Sequence, residues 1–88
     1  MEIDFKESFE RDIQSIHDRK LLQKLKNNIE VVEQVKNISE ITGIKKIRTG
    51  DAYYRIRIGD YRIGIKLENN IIIFVRFLHR KDIYRYFP

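Results

Sequence analysis

Residues 53–67 read YYRIRIGDYRIGIKL, two alternating runs separated by Gly59-Asp60. Strict alternation over six or more residues is the period of a strand with one buried face. A glycine at the first of two loop residues supplies the positive φ that a tight hairpin needs. The spacing therefore predicts a hairpin with a two-residue loop, in which the numbers of opposed residues sum to 119. On its core face Ile58 meets Tyr61, Ile56 meets Ile63 and Tyr54 meets Ile65. On the other face Arg57 lies opposite Arg62, Arg55 opposite Gly64 and Tyr53 opposite Lys66.

Beyond this hairpin, Asn69-Asn70 tolerates positive φ and precedes a run, residues 71–78, rich in β-branched and aromatic side chains. The run is apolar on both faces, as in a central strand. It is expected to pair with its hairpin partner and with a strand from residues 1–6, where Ile3 and Phe5 alternate with Glu2, Asp4 and Lys6. Phe9, Ile13 and Ile16 then recur at helical spacing through residues 7–17. After the polar joint His17-Asp18-Arg19, a second helix with Leu21, Leu22, Leu25, Ile29 and Val32 runs to about residue 36 and lies antiparallel to the first. Residues 36–46, broken by Gly43, read as a packed connection, and residues 80–87 as one or two helical turns. The fold class expected is α+β: one domain over residues 1–88, with a small antiparallel sheet on an amino-terminal helical hairpin and a short carboxyl-terminal helix.

Charge is distributed unevenly over this pattern. Residues 1–44 hold 7 basic and 9 acidic side chains, a net −2, whereas residues 45–88 hold 11 and 4, a net +7. The chain's overall +5 therefore comes from the half that carries the hairpins, an electrostatic footprint for a polyanion such as nucleic acid or an acidic protein segment. With 42% hydrophobic residues the chain has the apolar content for a packed core. It contains no cysteine, which excludes disulfides and thiolate chemistry and suits the cytoplasm. The longest apolar run, residues 71–75, is too short to span a bilayer, and Glu2 and Asp4 are unlike the start of a signal peptide. No membrane association is expected.

Arg57 opposite Arg62 has a chemical implication. Directly opposed like charges disfavour a sheet by about 0.2–1 kcal/mol per pair, a sign that a bound anion would reverse. Arginine forks match phosphate oxygens, and Gly64 would leave room beside Arg55 for a bulky ligand. The competing reading is a solvated, edge-protecting face. At the other end of the chain Arg80 and Tyr84, four apart, share a helical face and would offer a nucleotide a cation and an aromatic ring. His79 is the default proton carrier by residue type, or else a hydrogen-bonded framework residue. His17, in the helix joint, reads as structural or solvent-exposed.

The element order, with YYRIRIGDYRIGIKL and FVRFLHRKDIYRYFP, resembles the RelE/ParE superfamily of toxins from bacterial type II toxin–antitoxin systems. The resemblance spans nearly the whole chain and is most specific over residues 54–65, with HRKDIY at 79–84 in support. It implies a cytoplasmic toxin neutralised by a cognate antitoxin, with operator DNA bound through the toxin–antitoxin complex. The RelE-like branch implies cleavage of mRNA on the ribosome with no metal or other cofactor. The ParE-like branch implies inhibition of DNA gyrase, and a catalytically silent binding module is a third possibility.

For RelE-type chemistry the resemblance assigns phosphate stabilisation to Arg62 and Arg80, base stacking or orientation to Tyr84, and proton transfer to His79. Arg55, Arg57, Lys66 and Arg85 would hold the RNA. One departure matters: familiar RelE members carry lysines where this chain has Arg55 and Arg57. A lysine can lose its proton and act as a base, whereas a guanidinium ordinarily does not. Either another group takes the proton or activity depends chiefly on positioning and ribosomal groups.

Overall fold

The first hairpin forms in the register set by its loop. Strands β3 (Tyr53–Ile58) and β4 (Tyr61–Glu68) pair from Ile58 with Tyr61 to Tyr53 with Lys66, every opposed pair summing to 119. Gly59 has φ +56° at the turn. Asn69 and Asn70 both take positive φ, and their turn leads into β5 (Ile71–His79). These coordinates are a computed structural model, which describes residues 1–47 and 52–88.

The second hairpin changes phase along its length. Leu67 faces Ile72 and Ile65 faces Phe74, but Gly64 faces Arg76 and Ile63 faces Phe77, so Val75 is an extra residue in β5. Such a bulge switches the side on which subsequent side chains emerge. Phe74 and Phe77, three apart, can therefore both enter the core, where they are 0% and 1% exposed.

β1 (Glu2–Phe5) lies on the far side of β5 and runs parallel to it. The sheet order is β1-β5-β4-β3-β2, which corrects the all-antiparallel expectation: the sheet is mixed. The parallel sense follows from a long crossover, because α1 (Glu7–Gln14) and α2 (Arg19–Gln34) intervene before the chain returns to the sheet. β2 (Ile44–Lys46) is a second departure. The stretch expected to be only a connection contains a short 3₁₀ turn at Ile38–Glu40 and then this edge strand, with Gly43 at φ +79° preceding it. Ile44-Lys45-Lys46-Ile47 does not alternate, and the isoleucines of this stretch recur every third residue, so no strand period marks β2.

α1 stops at Gln14, three residues before the expected end, because Ser15 bonds back to the Asp12 carbonyl through its hydroxyl (2.7 Å) as well as its N–H. Asp18 then caps α2 by accepting from Lys20 and Leu21 N–H. Phe9 of α1 and Leu25 and Val32 of α2 pack with Ile56, Ile63, Ile65, Ile72, Phe74 and Phe77 of the sheet in one core. None of the helices among the described residues is long and apolar enough to cross a membrane.

Because β1 ends at Phe5 while β5 continues to His79, the far half of β5 would present an unpaired edge. α1 occupies it. Ser8 Oγ donates to the Val75 carbonyl (2.6 Å), and Asp12 accepts from Phe77 N–H (2.9 Å). Asp12 also accepts two bonds from the Arg76 guanidinium, at 2.8 and 3.0 Å, which holds Arg76 above its ordinary pKa. Two side chains one helical turn apart thus replace a neighbouring strand.

The opposite face of the sheet is partly covered by α3 (Arg80–Tyr86) and the residue after it. Ile83 and Phe87 are buried there, 0% and 3% exposed. The Phe87 ring lies directly over Gly64, where an added Cβ would sit 2.7–2.8 Å from ring carbons. The space expected beside Arg55 for a ligand is therefore filled by the chain's own phenylalanine. Gly64→Ala should unseat this ring. In a strand with free space alanine would stabilise, whereas here a loss of about 1–3 kcal/mol is expected from overpacking. Thermal melting and faster amide exchange at residues 83–87 would show it.

Candidate functional site

On the face of the sheet opposite the helical core, β3 and β4 place Arg57 against Arg62, and Arg55 stands one row along. A hollow of about 320 Å³ opens there, lined by Gly43, Ile44 and Lys45 of the β2 segment with Arg55, Arg57 and Arg62. From the α3 side the Tyr84 ring lies against Arg55, with the guanidinium carbon 5.1 Å from the ring centroid. Such a pair combines cation and π-face. Tyr84 is 62% exposed, so its other face is open to a ligand.

Arg62 is the most constrained member. Its Nη1 donates to the carbonyls of Gly59 (3.0 Å) and Tyr61 (2.8 Å), folding the side chain toward the hairpin turn. Its Nε is buried with no partner among the described residues. Burial first, then the charges of Arg55 and Arg57, lower its pKa from the ordinary value; Arg80 acts in the same direction and Tyr84 opposes. The shared hollow and the ring contact bring Arg55, Arg57, Arg62 and Tyr84 together, and Arg80, at the start of α3, adds a smaller charge effect on Arg62. A guanidinium remains protonated under ordinary conditions, so the site concentrates cations that can receive an anion and offers no arginine as a base.

The other expected site residues lie apart from this cluster. His79 caps α3, its Nδ1 accepting from Lys81 N–H at 3.1 Å, and its ring stands edge-on to Tyr61 at 5.5 Å. It lines a different hollow, shared with Asp12, His17, Asp18 and Asp82, beside the joint of α1 and α2. The cap uses Nδ1 as an acceptor, a framework task. Lys66 pairs with Glu68 at 2.8 Å, which raises its pKa, and lies against the Tyr53 ring. Arg85 lies against Tyr86.

Lys45 was absent from the sequence reading because β2 was. Its visible signal is a pair of lysines flanked by isoleucines just after a glycine. Arg76 also went unremarked, and the structure gives it a structural partner in Asp12.

A small basic domain with this sheet and arginine face falls in a known class. The family described as the ParE toxin of the type II toxin–antitoxin system parDE matches residues 3–84. The chain belongs to the RelE/ParE superfamily of type II toxin–antitoxin toxins. Toxin RelE3 of Methanocaldococcus jannaschii is 42% identical over 91 residues, with all of both chains covered. A chain in the crystal structure of the RelB-RelE antitoxin-toxin complex from Methanococcus jannaschii is 39% identical, with a TM-score of 0.80 over 97% of this chain and 99% of that one. YafQ from E. coli strain BL21(DE3), 15% identical with a TM-score of 0.74 over 94% and 97% of the two chains, shares the fold.

Proposed function

We propose that this toxin is a ribosome-dependent, metal-independent mRNA endonuclease that arrests translation. The observation that carries the reading is the hollow that Arg55, Arg57 and Arg62 line on one face of the sheet, with the Tyr84 ring against Arg55. In such a reaction the ribose 2′-hydroxyl attacks the adjacent phosphate while negative charge grows on its oxygens; a 2′,3′-cyclic phosphate forms as the P–O5′ bond breaks, and the departing 5′-oxygen takes up a proton from solvent. Arg62 and Arg80 stabilise that charge, Arg55 and Arg57 hold the strand, and Tyr84 stacks on a flanking base. Lys66 and Arg85 are peripheral contacts. The attacking hydroxyl's proton leaves to a group outside the arginine cluster, supplied by the ribosome in this reading. His79, tied into the α3 cap, serves positioning.

A cognate antitoxin is the proposed partner, in keeping with the antitoxin in the RelB-RelE structure. Its acidic or amphipathic segment would cover the +7 half, and the complex would bind operator DNA. Induced expression without the antitoxin should stop protein synthesis, which pulse labelling measures, and primer extension should show mRNA cut within codons. The ParE family match favours a second reading, inhibition of gyrase through a protein interface. Continued protein synthesis with arrested DNA synthesis would replace the nuclease reading with that one.

A further inference from the structure

The basic surface continues past the hairpin arginines onto the edge strand. Lys45 lies directly opposite Arg55 in the β2/β3 pairing and lines the same hollow as Arg55, Arg57 and Arg62. The hollow therefore contains two directly opposed like-charge pairs, Lys45 with Arg55 and Arg57 with Arg62, in neighbouring rows of three adjacent strands. Opposed like charges work against the pairing of the strands that carry them. β2 is three residues long and sits at the sheet edge, with few ladder bonds to offset that repulsion.

Edge strands commonly carry a lysine simply to discourage association with other chains. Lys46 already meets that need: it is exposed and emerges on the other side of β2, opposite Tyr54. Lys45 is additional, and it points into a cationic hollow, where edge protection requires no charge. Strand spacing of about 4.8 Å and a rise of about 3.4 Å per residue put the Arg62 and Lys45 backbone positions about 12 Å apart on the diagonal. Arg62 is drawn further from Lys45 by its bonds to the turn carbonyls. A chain of phosphates fits this separation better than a single one.

We infer that Lys45 binds a backbone phosphate of the RNA next to the one gripped by Arg57 and Arg62, so that the strand crosses from β4 over β3 to β2. This assignment rests on the RNA-cleaving reading and adds a binding residue and a direction to it. Lys45 would set how the strand is threaded past the Arg62 end of the groove.

The test uses a short, fluorescent single-stranded RNA, 2′-O-methylated throughout so that it cannot be cut. Its affinity for the full-length protein is measured by anisotropy over a KCl series from low salt. Each phosphate contact contributes about 0.7 to the slope of log K against log salt for single strands. Lys45→Ala should lower that slope by about one such contact, Lys45→Arg should restore it, and Lys46→Ala should leave it at the parental value. Lys45→Gln and a thermal melt of each variant separate lost contact from lost folding. If Arg57→Ala lowers the slope while folded Lys45→Ala and Lys45→Gln do not, Lys45 is an edge residue and the inference is overturned while the RNA-binding reading stands. If the parental protein fails to bind this RNA even at low salt, or no arginine variant changes the slope, the RNA-binding reading falls and the inference with it.

Discussion

Arg62→Ala is expected to slow ribosome-dependent mRNA cleavage by about 10²–10³-fold, the usual consequence of removing one preorganised donor from a developing oxyanion. The protein should remain folded. Truncation gives up bonds to the Gly59 and Tyr61 carbonyls but also removes the contact with Arg57, the buried, unpartnered Nε and the burial of a cation. These opposing contributions should leave stability within about 1 kcal/mol of the parent. Ile63→Ala, the next residue in the strand, is the matched control. Ile63 is fully buried opposite Ile56, and its truncation should cost about 2–5 kcal/mol. That variant should lose toxicity only in proportion to folded protein. Melting curves beside a ribosome cleavage assay distinguish the two, and a folded Arg62→Ala protein that cuts at the parental rate would remove this arginine from the mechanism.

The second large effect is expected at Asp12, outside the site. Asp12→Ala would leave the Phe77 N–H and the Arg76 guanidinium without their acceptor and release the α1 side chain that closes the β5 edge. Side-chain exposures of 12% for Asp12 and 26% for Arg76 place the pair between surface and interior. A loss of about 3 kcal/mol is expected, near the lower bound for breaking a buried pair and including the stranded backbone donor. Asp12→Asn should recover part of it, because the amide oxygen can still accept from Phe77. Urea unfolding of the three proteins gives the numbers, and amide exchange at Phe77 reports whether the edge has opened. A change below about 0.5 kcal/mol in Asp12→Ala would show that the edge closure contributes little.

Local rules carried the sequence reading furthest where short-range chemistry decides the outcome. The Gly59-Asp60 loop fixed the β3/β4 register, and with it the opposition of Arg57 and Arg62, because a two-residue turn leaves no freedom in pairing. The sense of β1 was not legible in the same way: alternation is identical in parallel and antiparallel strands, and only the crossover path decides. β2 escaped because three residues carry too little periodicity to separate from a turn. The occupancy of the Gly64 space could not be read from the hairpin, since the ring that fills it comes from Phe87, 23 positions later. The bond that His79 Nδ1 accepts from Lys81 N–H at the start of α3 was likewise not legible from its residue type.

The extra residue at Val75 has consequences for which sequence changes the toxin can accept. On one side of it, β5 is in step with β1 and the Asn69-Asn70 turn; on the other, with α1 and the Tyr61 end of β4. Substitution at Val75 leaves both halves in step. Deleting it would force one half to rotate, either turning Phe74 out of the core or turning Phe77 out and displacing Arg76 from Asp12. An insertion nearby would have the same result in the other direction. The length of this strand is therefore held more tightly than the identity of its residues, and a one-residue change in length could be absorbed only by a second change that restores the step.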